Sequence, residues 1–319
     1  MRVIVTGGAG FVGANLTEAL LRAGHAVVVV DNFFTGRREN LVGLDALGEL
    51  TVVDHDVIAP FPDLGAAHRL YHLACPASPP AYQKDPIFTT KTAVLGTLHA
   101  LEYASSHGTR LLLASTSEIY GDPEVHPQRE DYRGAVNTTG PRACYDEGKR
   151  VGESLAADFV RARGADVRIA RIFNTYGPRM DPKDGRVVSN FLVQALRGEA
   201  LTVYGDGSQT RSFCYVDDLV RGLMGLMETA KDPGPTNLGN PTEFTIRELV
   251  DAVGRVLGTA PRIETRPLPT DDPTRRRPDI GRAKAAFGFE PATPLEEGLR
   301  HTAAYFRALV GEGNAPVGR

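Results

Sequence analysis

A phenol and an ammonium four residues apart, Tyr145 and Lys149 in Cys144-Tyr145-Asp146-Glu147-Gly148-Lys149, form the pair in this chain best suited to proton chemistry. On a helix, positions i and i+4 share a face. A lysine charge there favours the phenolate, so Tyr145 is expected to act as a base well below the ~10 of a free tyrosine. A solvated Tyr and Lys on an amphipathic helix would show the same spacing. With ten tyrosines and six lysines in 319 residues, chance supplies only about 0.2 such pairs, which favours function if a dinucleotide site lies nearby. A second candidate group is Ser115-Thr116-Ser117-Glu118, where hydroxyls and a carboxylate follow a strand-like run at 110–114. Ligands of open α/β sheets bind outside the carboxyl ends of the strands, so Thr116, Ser117 and Glu118 are candidate catalytic residues. Ser and Thr there could equally cap a turn.

Such groups need a ligand held beside them, and the first residues supply the means. Arg2-Val3-Ile4-Val5-Thr6 reads as a buried strand, Gly7-Gly8-Ala9-Gly10-Phe11-Val12-Gly13 as a turn, and the spacing of Val12, Leu16, Ala19 and Leu20 as a helix. In that order Gly7 would make the tight turn, Gly10 would let backbone approach a pyrophosphate, and Gly13 would let helix pack on strand. A glycine turn of this kind is often only a turn; the flanking strand and helix favour the dinucleotide. Gly24 is placed as the cap of the first helix, and residues 25–31 as a strand apolar on both faces. It ends in Asp31. An acidic side chain about 20 residues beyond the glycines suits the adenine ribose hydroxyls and repels a 2′-phosphate, so NAD is expected over NADP, although Arg37 and Arg38 follow.

Composition narrows the partners. The net charge is −3 and the basic residues are scattered apart from Arg275-Arg276-Arg277, which argues against a nucleic-acid surface. No apolar run reaches the ~18 residues of a membrane span, and strand-like residues begin at Arg2 with no signal peptide visible, so a soluble, cytoplasmic protein is expected. Cys75, Cys144 and Cys214 are few, odd in number and far apart, which fits neither a disulfide framework nor a zinc site. No histidine is evident near Cys144 to activate it. His68 and His72 are the one i,i+4 histidine pair, and His72 falls in a strand-like run; no metal is expected.

The remaining elements alternate. Residues 50–56 read as a third strand whose end lies beside the adenine, and 69–74 as a fourth. The fourth runs into Cys75-Pro76-Ala77-Ser78-Pro79-Pro80, a loop stiffened by three prolines. It is expected to face the nicotinamide or the substrate, with a structural proline turn nearly as good a reading. Residues 87–106 read as one long helix with Val94, Leu95, Leu98 and Leu101 on one side, the helix of Tyr145 ends near Gly164, and 167–171 return to the sheet. This alternation predicts an α/β fold with a doubly wound parallel Rossmann sheet. From Phe173 the elements become short and broken by Gly and Pro, which predicts a smaller mixed α/β C-terminal substrate domain. The expected division is 1–172 with 212–240 for the cofactor, 173–211 with 241–310 for the substrate, and 311–319 as a loose tail.

Taken together, several runs resemble the extended short-chain dehydrogenase/reductase family that acts on nucleotide sugars, and within it the branch that decarboxylates UDP-glucuronate. They are Asp31-Asn32-Phe33-Phe34-Thr35-Gly36-Arg37, residues 72–80, 115–123, 144–149, 171–180 and 185–191, Tyr204-Gly205-Asp206-Gly207, Gln209-Thr210-Arg211-Ser212-Phe213, and Asp271-Asp272-Pro273 through Arg276 to Asp279. The resemblance covers nearly everything from Arg2 to about Arg307. The glycine loop and the Tyr/Lys pair are widely shared in the family, whereas Thr116-Ser117-Glu118 and the Cys75 to Pro80 loop separate decarboxylases from epimerases. The resemblance implies NAD held by Gly7, Gly10, Phe11, Val12, Asp31, Asn32, Phe33, Thr35, Gly36, Asp56, Val57, Leu73, Ala74, Tyr145 and Lys149. It implies a UDP-sugar held by Pro76, Ser78, Asn174, Arg179, Val188, Tyr204, Gln209, Arg211 and Arg276. Arginine forks suit a diphosphate or a carboxylate; taken alone, Arg275-Arg276-Arg277 reads as a solvated basic loop, and family alignment singles out the middle one. Ala93 stands where the family commonly has Asn, which weakens any side-chain relay through that position.

A reaction is implied as well. Tyr145 as phenolate takes the proton of the sugar 4-hydroxyl while hydride passes to NAD⁺, with Lys149 holding the phenolate and the cofactor ribose. The carboxylate, now β to a 4-ketone, leaves as CO₂ into an enolate stabilised by Tyr145 and by Thr116 or Ser117. Protonation of carbon 5 and return of the hydride give UDP-xylose, with NAD recycled. Glu118 is expected beside the reacting end, either ionised near the substrate carboxylate, or protonated or water-linked to deliver the proton to carbon 5. A homodimer is implied through the helices at 87–106 and 141–164. The alternatives are an epimerase or dehydratase on the same scaffold, a decarboxylase that releases UDP-4-ketopentose and NADH, and a dinucleotide-binding sensor without turnover, against which the intact Tyr145/Lys149 pair argues.

Overall fold

The computed structural model describes residues 1–267 and 275–312. Its strands are β1 (Arg2–Thr6), β2 (Ala26–Asp31), β3 (Leu50–Asp54), β4 (Arg69–His72), β5 (Arg110–Thr116), β6 (Val167–Ile172), β7 (Thr175–Tyr176), β8 (Leu201–Tyr204), β9 (Thr210–Ser212), β10 (Cys214–Tyr215), β11 (Thr236–Leu238), β12 (Glu243–Thr245), β13 (Ile263–Arg266) and β14 (Arg275–Arg276). The helices are α1 (Phe11–Arg22), α2 (Pro79–Lys84), α3 (Pro86–Lys91), α4 (Thr97–His107), α5 (Ala143–Arg163), α6 (Val187–Leu196), α7 (Val216–Met227), α8 (Ile246–Leu257), α9 (Gly281–Phe287) and α10 (Leu295–Glu312).

The central valine and isoleucine runs explain the sheet. In β1 and β2, Val3, Val5, Val27 and Val29 pack to one side with Leu16 and Leu20 of α1 and Leu219 and Leu223 of α7. Ile4, Val28 and Val30 pack to the other with Ala100, Leu101 and Ala104 of α4 and Ala156 and Phe159 of α5. Each such side chain contributes about 1.5–3 kcal/mol on burial, and burial on both faces is what a central parallel strand requires. Seven parallel strands result, in the order β3-β2-β1-β4-β5-β6-β11. The chain runs outward in opposite directions from β1 and from β4. The connections that leave their paired carboxyl ends therefore turn to opposite sides, and a crevice opens there.

The later elements form smaller units. β7 pairs with β10, β8 with β13, and β9 is flanked by β12 and β14. The return to the large sheet expected around 214–240 is made by β11 alone, because Cys214 and Tyr215 pair with Thr175 and Tyr176 instead. Helix α8 opens with a reciprocal cap, Thr245 accepting from the Glu248 amide at 3.1 Å and Glu248 accepting from the Thr245 amide at 2.7 Å. No helix among the described residues is long and apolar enough to cross a membrane.

Three expectations change in detail. The helix at 87–106 is divided, with α3 and α4 joined by a π turn over Thr92–Gly96. The wider turn rotates α4 relative to α3, so Ala93, Gly96, Thr97, Ala100 and Leu101 face inward while Val94, Leu95 and Leu98 are only half-buried. A Cβ at Gly148 would lie 2.8 Å from the Ala93 Cβ, so these small residues let α5 approach closely. The proline loop is shorter than expected, since Pro79 and Pro80 begin α2, where a missing N–H costs nothing. Helix α10 continues to Glu312, past the start of the expected tail, and residues 313–319, like Asp271-Asp272-Pro273, lie outside the described residues.

Candidate active site

A cleft of about 1160 Å³ opens at the carboxyl ends of β1, β4 and β5, and every expected site residue lines it except Asp56. Strand β3 stops at Asp54, and the Asp56 carboxylate turns away to accept from the Ile58 amide at 2.9 Å and the Asn32 side chain at 3.1 Å. It supports Asn32 from behind. Nine basic side chains face the cleft against four acidic ones, Asp31, Glu118, Asp181 and Asp184. In a chain of net charge −3, that concentration of positive charge selects anionic ligands.

One end is built by the glycine turn. Gly7 adopts φ +70°, and a Cβ on Gly13 would come within 2.0 Å of the Gly7 carbonyl oxygen. At Gly10, the N-cap of α1, a Cβ would meet only that oxygen, at 3.2 Å, and neither a side-chain cap nor an acidic residue occupies the first turn of the helix. The first amides of α1 are thus left to an anion, as a pyrophosphate requires. Asp31 is buried, which pushes its carboxyl pKa up, and it is held by the Phe33 amide at 2.8 Å and the Ala9 amide at 2.9 Å. The turn-bracing reading of Asp31 holds, since it fixes Phe33 at φ +57°, and its carboxylate also lines the cleft. Arg37 and Arg38 are occupied elsewhere. Arg37 donates to the Tyr305 hydroxyl at 2.7 Å and to Asn40 at 3.2 Å, and Arg38 to Asp54 at 2.6 Å while covering the Phe33 ring.

At the other end, α5 carries Tyr145 and Lys149 into the cleft on one buried face, as their spacing predicts. The electrostatics differ from expectation. Burial pushes the Tyr145 hydroxyl well above its ordinary range, against the Thr116 hydrogen bond and the charge of Arg186. The Lys149 ammonium donates to the Ala114 carbonyl at 2.8 Å and sits 5.9 Å from the phenol ring centre, so its charge does not offset the lost hydration. Thr116 also accepts from the Glu118 amide at 3.2 Å, so the turn-capping reading holds alongside its place in the cleft.

Glu118 lies between two arginines. Its carboxylate accepts from Arg276 at 2.7 and 2.9 Å and from Arg142 at 2.6 Å, with all three side chains nearly buried. Burial raises its pKa, but the two guanidiniums outweigh that and hold it below the usual carboxylate range. Glu118 is therefore ionised and, contrary to the protonated alternative expected from sequence, carries no proton to deliver to carbon 5. Arg276 faces inward because β14 alternates: Arg275 is exposed, and Arg276 sits opposite Arg211 of β9. This overturns the solvated-loop reading of the arginine run.

The other expected residues follow the cleft away from Glu118. Arg179, at φ +69°, is turned to Asn15 at 3.1 Å and Glu18 at 2.5 Å on α1. The Gln209 side chain donates to the Tyr204 carbonyl at 2.7 Å, Arg211 is buried, and Asn174, Val188, Pro76 and Ser78 complete the wall. Sequence reasoning missed Arg142, Arg186 and Tyr82. Arg142 stands one helical turn before Tyr145, the only local signal it gives. Arg186 pairs with Asp184 at 2.5 and 2.8 Å and covers Phe11 of the glycine turn. Tyr82 stacks on Tyr145 and is visible from sequence only if the start of α2 is placed first. Among the described residues no three His, Cys, Asp or Glu side chains are grouped to hold a metal.

The sequence profile of the NAD dependent epimerase/dehydratase family matches residues 3–239. The chain belongs to this family. Within it, the chain is similar to UDP-glucuronic acid decarboxylase 1 of Danio rerio, 55% identical over 314 residues that cover 98% of this chain and 74% of the relative. Among solved members of the NAD dependent epimerase/dehydratase fold, it is similar to UDP-glucose 4-epimerase of Thermotoga maritima with UDP-glucose, with 30% identity, TM-score 0.89, and 97% and 100% of the two chains covered. It is also similar to UDP-glucuronic acid 4-epimerase of Bacillus cereus in complex with UDP-glucuronic acid and NAD, with 26% identity, TM-score 0.86, and the same coverage.

Proposed function

We infer that the protein converts UDP-glucuronate to UDP-xylose and CO₂, using NAD that is reduced and reoxidised within one turnover. The observation that carries this reading is the 55% identity, over 98% of the chain, to a UDP-glucuronic acid decarboxylase. The convergence of Tyr145, Thr116 and the Arg142–Glu118–Arg276 cluster in one cationic cleft supports it. NAD, when bound, supplies the acceptor for the hydride of carbon 4 and then its donor.

The chain's own groups do the rest. Tyr145 takes the proton of the sugar 4-hydroxyl, aided by the Thr116 hydrogen bond. Because burial favours the neutral phenol, ligand charge entering beside Tyr145 must supply the remaining bias toward phenolate. Once carbon 4 is a ketone, the electrons of the C5–carboxylate bond pass into an enolate as CO₂ leaves. The Tyr145 phenol and the Thr116 or Ser117 hydroxyl are the donors for its oxygen until carbon 5 takes a proton from water; return of the hydride to carbon 4, with the Tyr145 proton to its oxygen, then restores the 4-hydroxyl. Arg276 and Arg142, aligned by ionised Glu118, hold the sugar carboxylate until then. Residues 173–211 and 241–310 are assigned the nucleotide, with Tyr204, Gln209 and Arg211 along the UDP.

We also propose a cytoplasmic homodimer through α3, α4 and α5. Ile87, Val151 and Val160 are exposed there at 69%, 40% and 38%, and Val94, Leu95 and Leu98 are half-buried; a monomer mass in solution would refute the dimer. The reaction is tested by incubating purified protein with NAD and UDP-glucuronate and identifying the product by mass and NMR. UDP-xylose without net NADH is expected. A 4-epimer would move the protein to the epimerases, and UDP-4-ketopentose with one NADH per sugar would mean that reduction does not follow.

A further inference from the structure

The proline loop delivers α2, and α2 delivers Tyr82. Its ring lies flat against that of Tyr145, with centroids 5.1 Å apart and planes 3° from parallel. Tyr82 is 1% exposed. Its amide donates to the Ser78 carbonyl at 2.9 Å, and its carbonyl accepts from the Thr89 hydroxyl at 3.0 Å and the Cys144 thiol at 3.6 Å. Cys144 directly precedes Tyr145, so α2 is fastened to α5 at the residue that bears the phenol. The Tyr82 hydroxyl has no hydrogen-bond partner among the described residues. The ring, not the hydroxyl, makes the contact.

We propose that Tyr82 is a positioning residue for the general base, its ring setting the plane and depth at which the Tyr145 phenol meets the sugar 4-hydroxyl. This rests on the reaction proposed above. Offset parallel rings attract, but each presents a negative face to the other, so a phenolate at Tyr145 is repelled where a neutral phenol is not. The stack thus holds the phenol in place and keeps it protonated until ligand charge arrives. The other groups around Tyr145 are Thr116 on β5, Cys75 after β4, Glu118 after β5, Asp146 and Lys149 on α5, and Arg186 before α6. A substitution at Tyr82 leaves all of them in the chain.

The test compares Tyr82→Phe, which keeps the ring, with Tyr82→Leu, which removes it. Leu is expected to lower kcat by roughly 10- to 100-fold, the cost of misplacing a reacting group by about 1 Å, with KM for UDP-glucuronate changed less than about threefold. Phe should stay within about threefold of wild type on both constants. Tyrosinate absorbance of the NAD complex, read as the difference from the same protein carrying Tyr145→Phe, should titrate roughly 0.4–1 pH unit lower in Leu than in wild type. If Leu does not fold, Tyr82→Met carries the same comparison. Wild-type kcat per folded molecule together with an unmoved titration, or a Phe variant as impaired as Leu, overturns the proposal. The titration needs no sugar substrate, so it still decides on Tyr82 if wild type fails to turn over UDP-glucuronate and the reaction assignment falls.

Discussion

Replacing Glu118 by Gln keeps the shape of the side chain and removes the charge between two guanidiniums. In the native site that carboxylate takes three charge-assisted bonds, at 2.6, 2.7 and 2.9 Å, from arginines only 9% and 11% exposed. Gln can accept at one oxygen but turns a donor toward a donor. Loss of one partner from a buried pair costs about 3–5 kcal/mol. With an unfolding entropy of about 2.1 cal/mol/K per residue over 319 residues, Tm should fall by roughly 5–7 °C. The arginines are then left for the sugar carboxylate, so the preference for UDP-glucuronate over UDP-glucose should rise by about tenfold, or ~1.4 kcal/mol, while turnover falls. Calorimetric titration of wild type and Glu118→Gln with both nucleotide sugars, in saturating NAD, measures this. An unchanged ratio of the two affinities would show that the sugar carboxylate does not reach this cluster. The Tm difference should also shrink in acid. The folded pKa of Glu118 is lowered, so its stabilisation is present above the unfolded carboxylate range and is lost as pH falls through the folded value.

Tyr145→Phe should bind UDP-glucuronate and NAD yet turn over roughly 10²–10⁴-fold more slowly; near-normal turnover would require another base. Asp31→Ala should narrow the preference for NAD over NADP and weaken NAD itself, because the Ala9 and Phe33 amides lose their acceptor; equal wild-type use of the two cofactors would contradict the role given to Asp31. Asp146 is pushed up to about 7 by burial and then by the Glu118 charge. Its folded pKa is raised, so the neutral form stabilises the fold below the unfolded value, and that contribution is lost as pH rises through about 7. Urea denaturation of Asp146→Asn should therefore show a flatter stability profile between about pH 4 and 7 than wild type, and an identical slope would refute the assignment.

What the sequence reveals here is what short range determines. The glycine turn, Asp31 at the end of β2, and the shared face of Tyr145 and Lys149 all depend on neighbours a few residues away, and all stand where spacing put them. The π turn at Thr92–Gly96 is also local, but it lies where Ala93 packs closely against Gly148 of α5, a contact that no periodicity within residues 87–106 encodes. Arg142 and Tyr82 were missed for a similar reason. Arg142 acquires its meaning from Glu118, 24 positions earlier, and Tyr82 from Tyr145, on another helix. The protonation of Tyr145 was misjudged because a sequence displays the nearby lysine but not the loss of water around the phenol.

The inward arginine at the reacting end comes from a strand of two residues. So short a pairing defines its register weakly, and here Arg277, bonded at its amide and carbonyl to Gln128 at 2.7 and 2.9 Å, fixes it from behind. Because that anchor lies on the far side of β14, a residue gained or lost in the chain before Arg275 leaves Arg276 opposite Arg211, so the guanidinium that meets Glu118 is insulated from changes of length there.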